Sequence, residues 1–366
     1  MKTSQITRLA TLCAAGLLLL SACGSDNPTG ASSQGQAAGS LPSATLTGVG
    51  ASSQQAAITA WETGFAELGG SVQYSPDGSG AGREALLAGG AQFAGSDRPL
   101  KPEEWEASKA VCGEGGAINI PVYVSPVAVA FNLPGLSSLN LDGQTLAKIF
   151  MGQISSWDDP AIAAQNEGVS LPATPITVVH RSDDSGTTQN FTDYLAAASD
   201  GLWGLEADGN WPAQYAAESN KGTSGVVATT SSTEGAITYA DASAIGQLGK
   251  VKLKVADSYV ELSAEAAARA VELSSPVGGM NEKDLALSLN RTPQDPTAYP
   301  LLLVSYHLVC SSYASSDQVE LIKAYEGYVV SEQGQQQAPA AAHSAPLSAS
   351  LSDQAQQAID SITVKE

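Results

Sequence analysis

Four times along this chain a short apolar strand runs into a turn of small polar residues and then into a segment of helical period. This recurrence restricts the fold more than any other feature. In the clearest instance Pro175–Val179 is apolar and mostly β-branched, and V-V-H-R-S-D-D-S-G-T (Val178–Thr187) carries the chain into a turn. From Thr188 onward Phe191, Tyr194 and Leu195 share one helical face. Near the start, Ala44–Gly50 reads as a strand, Ala51-Ser52-Ser53 as its turn, and Gln54 to about Leu68 as a helix with Ile58, Trp61, Phe65 and Leu68 in register. Ser71–Tyr74 leads into the Gly-rich turn Ser75–Gly82 and a helix from Arg83 to Leu87. Ala91–Ala94 ends in Gly95-Ser96-Asp97 and Arg98-Pro99, before another helical run from Lys101. Such alternation predicts an α/β fold, and open α/β sheets bind ligands at the carboxyl ends of their strands.

The turns carry the chemistry of a small oxyanion site. Arg181 supplies a fork of donors, and Ser185-Gly186-Thr187 opens a helix, where free N–H groups and the positive end of the macrodipole favour an anion. Ser52 and Ser53 occupy the same place in their unit, and Ser79 between two glycines allows close approach of the backbone. Each has a plainer reading. Ser, Thr and Asp before helices are ordinary N-caps, Asp97 among them, and Arg–Asp pairs two residues apart are common on surfaces. An ionised Asp97 at an anion site only accepts hydrogen bonds, so it suits a ligand that carries a proton, as phosphate does and fully ionised sulfate does not. No G-x-x-x-x-G-K-[ST] pattern supports nucleotide binding, and His180, His307 and His343 are too scattered for a metal cluster. A phosphatase or hydrolase using Ser185 or Ser79 as nucleophile would need a base, and His180 sits on the preceding strand. No catalytic residue, metal or cofactor is expected.

The N-terminus has the form of a lipoprotein leader. Lys2 and Arg8 precede an apolar run from Leu9 to Leu20 that ends in Leu20-Ser21-Ala22-Cys23, too short for a spanning helix. Residues 1–22 are therefore expected to be a signal peptide and Cys23 a lipidated first residue. Residues 23–43, rich in Gly, Ser, Ala and Gln, are expected to form a flexible tether with a span of about 25 Å. The expected location is extracytoplasmic, anchored by lipid to the outer face of the cytoplasmic membrane. The remaining chain, about 320 residues, is long enough for two lobes. The formal charge of the full sequence, −20, or −22 once Lys2 and Arg8 are removed, argues against nucleic acid or an anionic membrane face as partner. The objection to an anionic ligand is weak, since exposed charges are screened within about 8–10 Å. Outside the cytoplasm Cys112 and Cys310 are expected to pair as a disulfide.

Taken together, the chain resembles the phosphate-binding protein of the high-affinity phosphate ABC transporter. The resemblance lies in L-T-G-V-G-A-S, Y-S-P-D-G-S-G-A-G, F-A-G-S-D-R-P-L, V-A-F-N-L-P-G (Val129–Gly135), Leu141–Ala163, Val178–Thr187, G-A-I-T-Y-A (Gly235–Ala240) and Y-P-L-L-L-V-S-Y, in order from about residue 44. It implies a two-lobed, Venus-flytrap (type II periplasmic-binding-protein) fold with a mixed sheet in each lobe and the ligand in the cleft. Lobe one would be 44–124 plus 303–366 and lobe two 125–302, with hinge strands near Ser125 and Leu303. By matching position the phosphate ligands would be Ser52, Ser79 and Asp97 from lobe one and Arg181, Ser185, Gly186 and Thr187 from lobe two. Asp183 would orient Arg181, and Ser53 would add its backbone N–H. The implied role is that of a monomeric carrier delivering inorganic phosphate to the permease and ATPase subunits of an importer. A lipid-anchored phosphate receptor or scavenger, or a binder of another tetrahedral oxyanion, is the alternative.

The chain departs from the family pattern at two places. Ser52-Ser53 stands where the family has Thr and an aromatic, so that wall is expected to be smaller and wetter. Asp184 stands where it has Gly, and its carboxylate is expected to point to solvent. The Ala/Gln/Pro-rich stretch Glu332–Ser350 reads as an exposed loop.

Overall fold

The computed structural model describes residues 41–278, 280–342 and 344–366. The expected leader, Cys23, the tether up to residue 40 and His343 lie outside the described residues. The α/β alternation begins as expected. Strands β1 (Leu46–Gly50), β2 (Val72–Ser75) and β3 (Phe93–Ser96) are parallel, and helices α1 (Gln55–Glu67) and α2 (Ser79–Leu87) connect them. A short 3₁₀ turn, Ser52–Gln54, precedes α1. Helix α3 (Pro102–Cys112) then leads to β4 (Ala117–Phe131), a strand buried along its whole length.

The second set of elements follows in chain order. It comprises β5 (Ser138–Leu141), α4 (Gly143–Phe150), α5 (Pro160–Ala163), β6 (Thr177–Arg181), α6 (Gly186–Ala198), β7 (Glu218–Asn220), α7 (Gly222–Ser232), β8 (Ala236–Asp241), β9 (Gly249–Val255), β10 (Ser258–Val260) and α8 (Ala264–Glu272). A small antiparallel pair, β11 (Ser275–Pro276) and β12 (Leu287–Ser288), precedes β13 (Leu302–Cys310), which like β4 is buried throughout. The chain ends with β14 (Ser312–Tyr313), α9 (Ser316–Val330), α10 (Glu332–Ala342), α11 (Ala349–Asp360) and β15 (Thr363–Val364).

Among the described residues the main sheet runs β2-β1-β3-β13-β4-β8-β6-β7, with β9 also paired to β4 and β5 and β10 paired to β9. Strand β4 serves both lobes of the fold. From Ala117 to Pro126 it pairs antiparallel with β13, and from Val127 to Phe131 it pairs with β8. Ser125 lies opposite Leu303 in that register, next to the handover. Such fully buried and mostly apolar strands are what a sheet covered on both faces requires. Trp61, Phe65, Phe93 and Tyr325 pack in the core of one lobe, and Phe150, Phe191, Trp211 and Tyr239 in the other. Cys112, closing α3, and Cys310, closing β13, form a disulfide with S–S 2.05 Å.

Two local expectations are corrected. Helix α2 starts at Ser79 rather than Arg83, so the Gly-rich segment supplies its first turn. A Cβ on Gly82 would lie 2.6 Å from the Val49 carbonyl oxygen, and one on Gly80 would meet the Asp184 carboxylate. Close packing, rather than a turn, accounts for these glycines, and it overrides their poor helix propensity. The second correction concerns Glu332–Ser350, whose first part is helix α10 and not an exposed loop. Its inward residues are Gly334, Gln335, Ala338 and Ala342. The Gly334 carbonyl accepts the Trp61 Nε1–H at 2.9 Å. Gln335 is satisfied by the Val122 and Val329 carbonyls and by the Leu347 N–H. A helix packed through small residues and one satisfied amide lacks the apolar period by which buried helices are recognised.

Where β4 passes between lobes, Asp241 at the end of β8 is fully buried opposite Val127. Its carboxylate accepts from the Ser243 N–H at 3.0 Å and from the Tyr123 hydroxyl at 3.2 Å. Burial pushes its pKa up to about 6, against the lowering effect of the Ser243 and Ser125 hydrogen bonds, and the Asp97 charge adds to the rise. The folded chain therefore binds this proton more tightly than the unfolded chain does. Ionised Asp241 opposes folding above about pH 6, by up to about 3 kcal/mol, and the penalty fades as pH falls toward 4. Asp241→Asn, which retains an acceptor for Ser243, is expected to raise Tm at pH 8 and to lose that advantage by pH 4. Thermal melts across this range check the sign, and a variant less stable than wild type at pH 8 would refute it.

Candidate functional site

The carboxyl ends of β1, β2, β3, β6 and β7 lie beside the starts of α1, α2, α6 and α7, so several helix N-termini border one cleft. Asp97 follows β3 directly and is 3% exposed. Its Oδ1 accepts from the Ser53 and Ser305 hydroxyls, each at 2.6 Å, and its Oδ2 accepts from Thr187 Oγ1 at 3.0 Å across the cleft. The Asp97 N–H donates to Ser79 Oγ at 3.1 Å, and the Asp97 carbonyl accepts from Asn190 Nδ2 at 2.7 Å. Asp97 is thus no N-cap for α3. The Glu104 side chain takes up the Lys101 N–H at 2.8 Å at that helix start.

Arg181, at the end of β6, is likewise 3% exposed. Its Nε donates to Asp183 Oδ1 at 2.8 Å and its Nη2 to Oδ2, so the carboxylate grips one edge of the guanidinium and Nη1 stays outside the pair. The Gly222 N–H also donates to Asp183 Oδ1, at 3.1 Å. Ser185 is the N-cap of α6, with its Oγ accepting the Thr188 N–H at 3.2 Å while its own hydrogen remains a donor. Gly186 and Thr187 form the first turn, whose N–H groups have no acceptor within the helix. Gly186 lies against the other lobe: a Cβ there would be 2.6 Å from both Asp97 Cβ and Ser79 Oγ.

Burial raises the pKa of Asp97, and the Ser305, Ser53 and Thr187 hydrogen bonds with the Arg181 charge limit the rise. Asp183 is held below the usual carboxylate range. Burial alone would raise it, but the bonds and charge of Arg181 and the Gly222 N–H more than offset that. The site therefore combines an always-charged guanidinium, several hydroxyl and N–H donors and one buried carboxylate acceptor. Among the described residues no group of acidic, His or Cys side chains is arranged to hold a metal ion. His180 does not serve Ser185 as a base. Its Nε2 accepts the Ala217 N–H at 3.2 Å, its Nδ1 lies 2.9 Å from the Arg181 carbonyl, and its ring stacks on Trp211.

The structure gathers Ser53, Ser79, Asp97, Gly186 and Thr187 tightly, with Arg181, Asp183 and Ser185 on the same turn. Ser52 stands slightly apart, with its hydroxyl engaged by the start of α7 through the Thr223 N–H at 3.1 Å and Thr223 Oγ1 at 3.0 Å. Ser53 contributes its hydroxyl, where the sequence reading invoked its N–H. Asp184, expected to face solvent, is paired and only partly exposed. Its Oδ2 lies 2.9 Å from Arg83 Nη2, on the opposite lobe. Ser305, Asn190, Thr223, Arg83 and Arg291 escaped the sequence reading. Asn190, one helical turn beyond Gly186 and bonded to its carbonyl at 2.9 Å, was the one recoverable by spacing.

Comparisons with known proteins show what the chain as a whole is similar to. The family described as the PBP superfamily domain matches residues 30–333, which defines the class of the fold. The phosphate-binding protein PstS 3 of Mycobacterium leprae is 39% identical over 338 residues, covering 89% of this chain and 90% of its own length. PstS 3 of Mycobacterium tuberculosis is 36% identical over 336 residues, with coverage of 89% and 90%. A solved high-affinity periplasmic phosphate-binding protein (PfluDING) with bound phosphate superposes with a TM-score of 0.68 at 22% identity, covering 86% of this chain and 93% of its own. That last likeness is one of fold. The chain belongs to the PstS family of phosphate-binding proteins.

Proposed function

We propose that this protein binds inorganic phosphate in the cleft between its lobes and delivers it to the permease and ATPase subunits of an ABC importer. The observation that carries this reading is Asp97, a buried carboxylate ringed by donors on both sides of the cleft. Beside an oxyanion such a group is tolerable only if the ligand brings a proton to it. Arg181, Ser52, Ser53, Ser79, Ser185 and Thr187, with the N–H groups of Gly186 and Thr187, would hold the unprotonated oxygens, and Asp183 would keep Arg181 in place. Hydrogen bonds to a charged group contribute roughly 1.5–3 kcal/mol each, so half a dozen are enough for micromolar binding or better. The reading is of a binding protein and not an enzyme, in line with relatives named as phosphate-binding proteins and with the engaged ring of His180.

The lobes would be 44–124 plus 303–366 and 125–302, a division supported by the change of partner along β4. Within the second span, Leu285 and Leu287 bond to Asn119 and Tyr306, so this short stretch straps onto the first lobe. The leader pattern supports secretion and a lipid on Cys23, with the monomeric carrier held at the outer face of the cytoplasmic membrane. Titration calorimetry with phosphate and sulfate tests the central claim. Micromolar or tighter phosphate binding with sulfate at least about 100-fold weaker is expected. Comparable affinities would overturn the role given to Asp97.

A further inference from the structure

We propose that Asp184 and Arg83 form a latch that holds the cleft closed without touching the ligand, and so sets how long phosphate stays bound. The inference rests on the phosphate-carrier reading above. Arg83 projects from α2 in one lobe and its side chain is only 4% exposed, while Asp184 lies in the turn before α6 in the other. Their Nη2–Oδ2 separation is 2.9 Å, and the Asp184 carbonyl also accepts the Gly80 N–H at 3.1 Å. Glycines frame this contact. A Cβ on Gly80 would lie 2.4 Å from Asp184 Oδ2, and one on Gly209 would lie 2.0 Å from Oδ1. The slot for this carboxylate is thus built from both lobes.

Charge bookkeeping gives the latch its direction. On its own lobe Arg83 shares Glu104 with Arg98, through Arg83 Nε at 3.1 Å and two Arg98 contacts at 2.6 and 2.7 Å. Two guanidiniums thus share one carboxylate in a largely buried cluster. Asp184 brings the missing negative charge, so closing the cleft neutralises the cluster and opening it leaves two guanidiniums on one carboxylate. A second ion pair across the cleft, Lys221–Asp77 at 2.8 Å, has both side chains at least half exposed and is expected to contribute little. The extra carboxylate that looks unfavourable beside an anion therefore pairs away from it.

The opposing view, that Asp184 merely repels the ligand, predicts the opposite sign. Asp184→Asn keeps the shape and removes the charge at a side chain that is 38% exposed, so it leaves folding intact. The latch predicts phosphate release about 5–50-fold faster in stopped flow, with an association rate within about twofold of wild type. Lys221→Met, the control, is expected to change release less than about twofold. Unchanged or slower release in Asp184→Asn would overturn the proposal. Small-angle scattering of the ligand-free proteins gives a second readout that does not depend on phosphate: the variant is expected to be more open than wild type. If wild type bound no phosphate but Asp184→Asn still opened the ligand-free cleft, the carrier reading would fail and the latch would stand. Equal scattering from both proteins would count against the latch itself.

Discussion

Gly186→Ala is expected to weaken phosphate binding about 100-fold while leaving the ligand-free protein folded and equally stable. The reason is a single added methyl group. At the start of α6 it would sit 2.6 Å from Asp97 Cβ and 2.6 Å from Ser79 Oγ, both on the opposite lobe and neither the far end of a flexible chain. Within its own helix Ala fits better than Gly, so the open protein gains or loses little. The clash arises only as the lobes meet, and overpacking of this kind costs about 1–3 kcal/mol or more. Calorimetry, a thermal melt without ligand and scattering at saturating phosphate check the three parts separately. The expected variant melts like wild type, binds weakly and stays more open. Wild-type affinity in Gly186→Ala would mean that the lobes need not approach this closely.

Gly186 lies on a turn whose character is written locally in the sequence. The strand–turn–helix units were legible because β-branched runs, glycines and helical spacing are local signals. Ser52, Ser53, Ser79, Asp97, Arg181, Asp183, Ser185, Gly186 and Thr187 all fall on those turns, so the candidate donors were legible too. Partners supplied from a distance were not. Ser305 comes from β13, more than 200 residues from Asp97, and reaches its carboxylate beside a register shift between Ser305 and Tyr306. A bulge of this kind re-aims a side chain without leaving a sequence signal. Arg291 supports Asn190, which in turn holds the Asp97 carbonyl, and nothing near Arg291 in the sequence announces that role. The pairing of Asp184 is illegible for the same reason, since its partner lies 101 residues away on another lobe. The α10 helix failed differently: its buried face is Gly, Gln and Ala, so composition suggested a loop where packing made a helix.

Asp97→Asn is expected to relax discrimination against sulfate by about 10²-fold or more while lowering phosphate affinity less than about tenfold. In the wild type Oδ1 is occupied by the Ser53 and Ser305 hydroxyls, and Thr187 reaches Oδ2 from the other lobe. These donors and Arg181 favour the ionised form, which burial disfavours. An ionised carboxylate facing a ligand oxygen is favourable if a proton lies between them and strongly unfavourable otherwise. Phosphate supplies that proton and sulfate does not. The amide of Asn can itself donate, so the penalty against sulfate disappears while the remaining donors still hold phosphate. Acid should imitate the substitution. Because the Asp97 pKa is raised, its proton returns above the usual carboxylate range, and wild-type selectivity should begin to erode as pH falls toward that range. The selectivity of Asp97→Asn should stay flat over the same interval, since its side chain does not titrate. Competition titrations of phosphate against sulfate from pH 8 to pH 4 separate the two curves. A variant that still rejects sulfate at pH 8 would move the basis of discrimination from Asp97 to the cluster of donors around it.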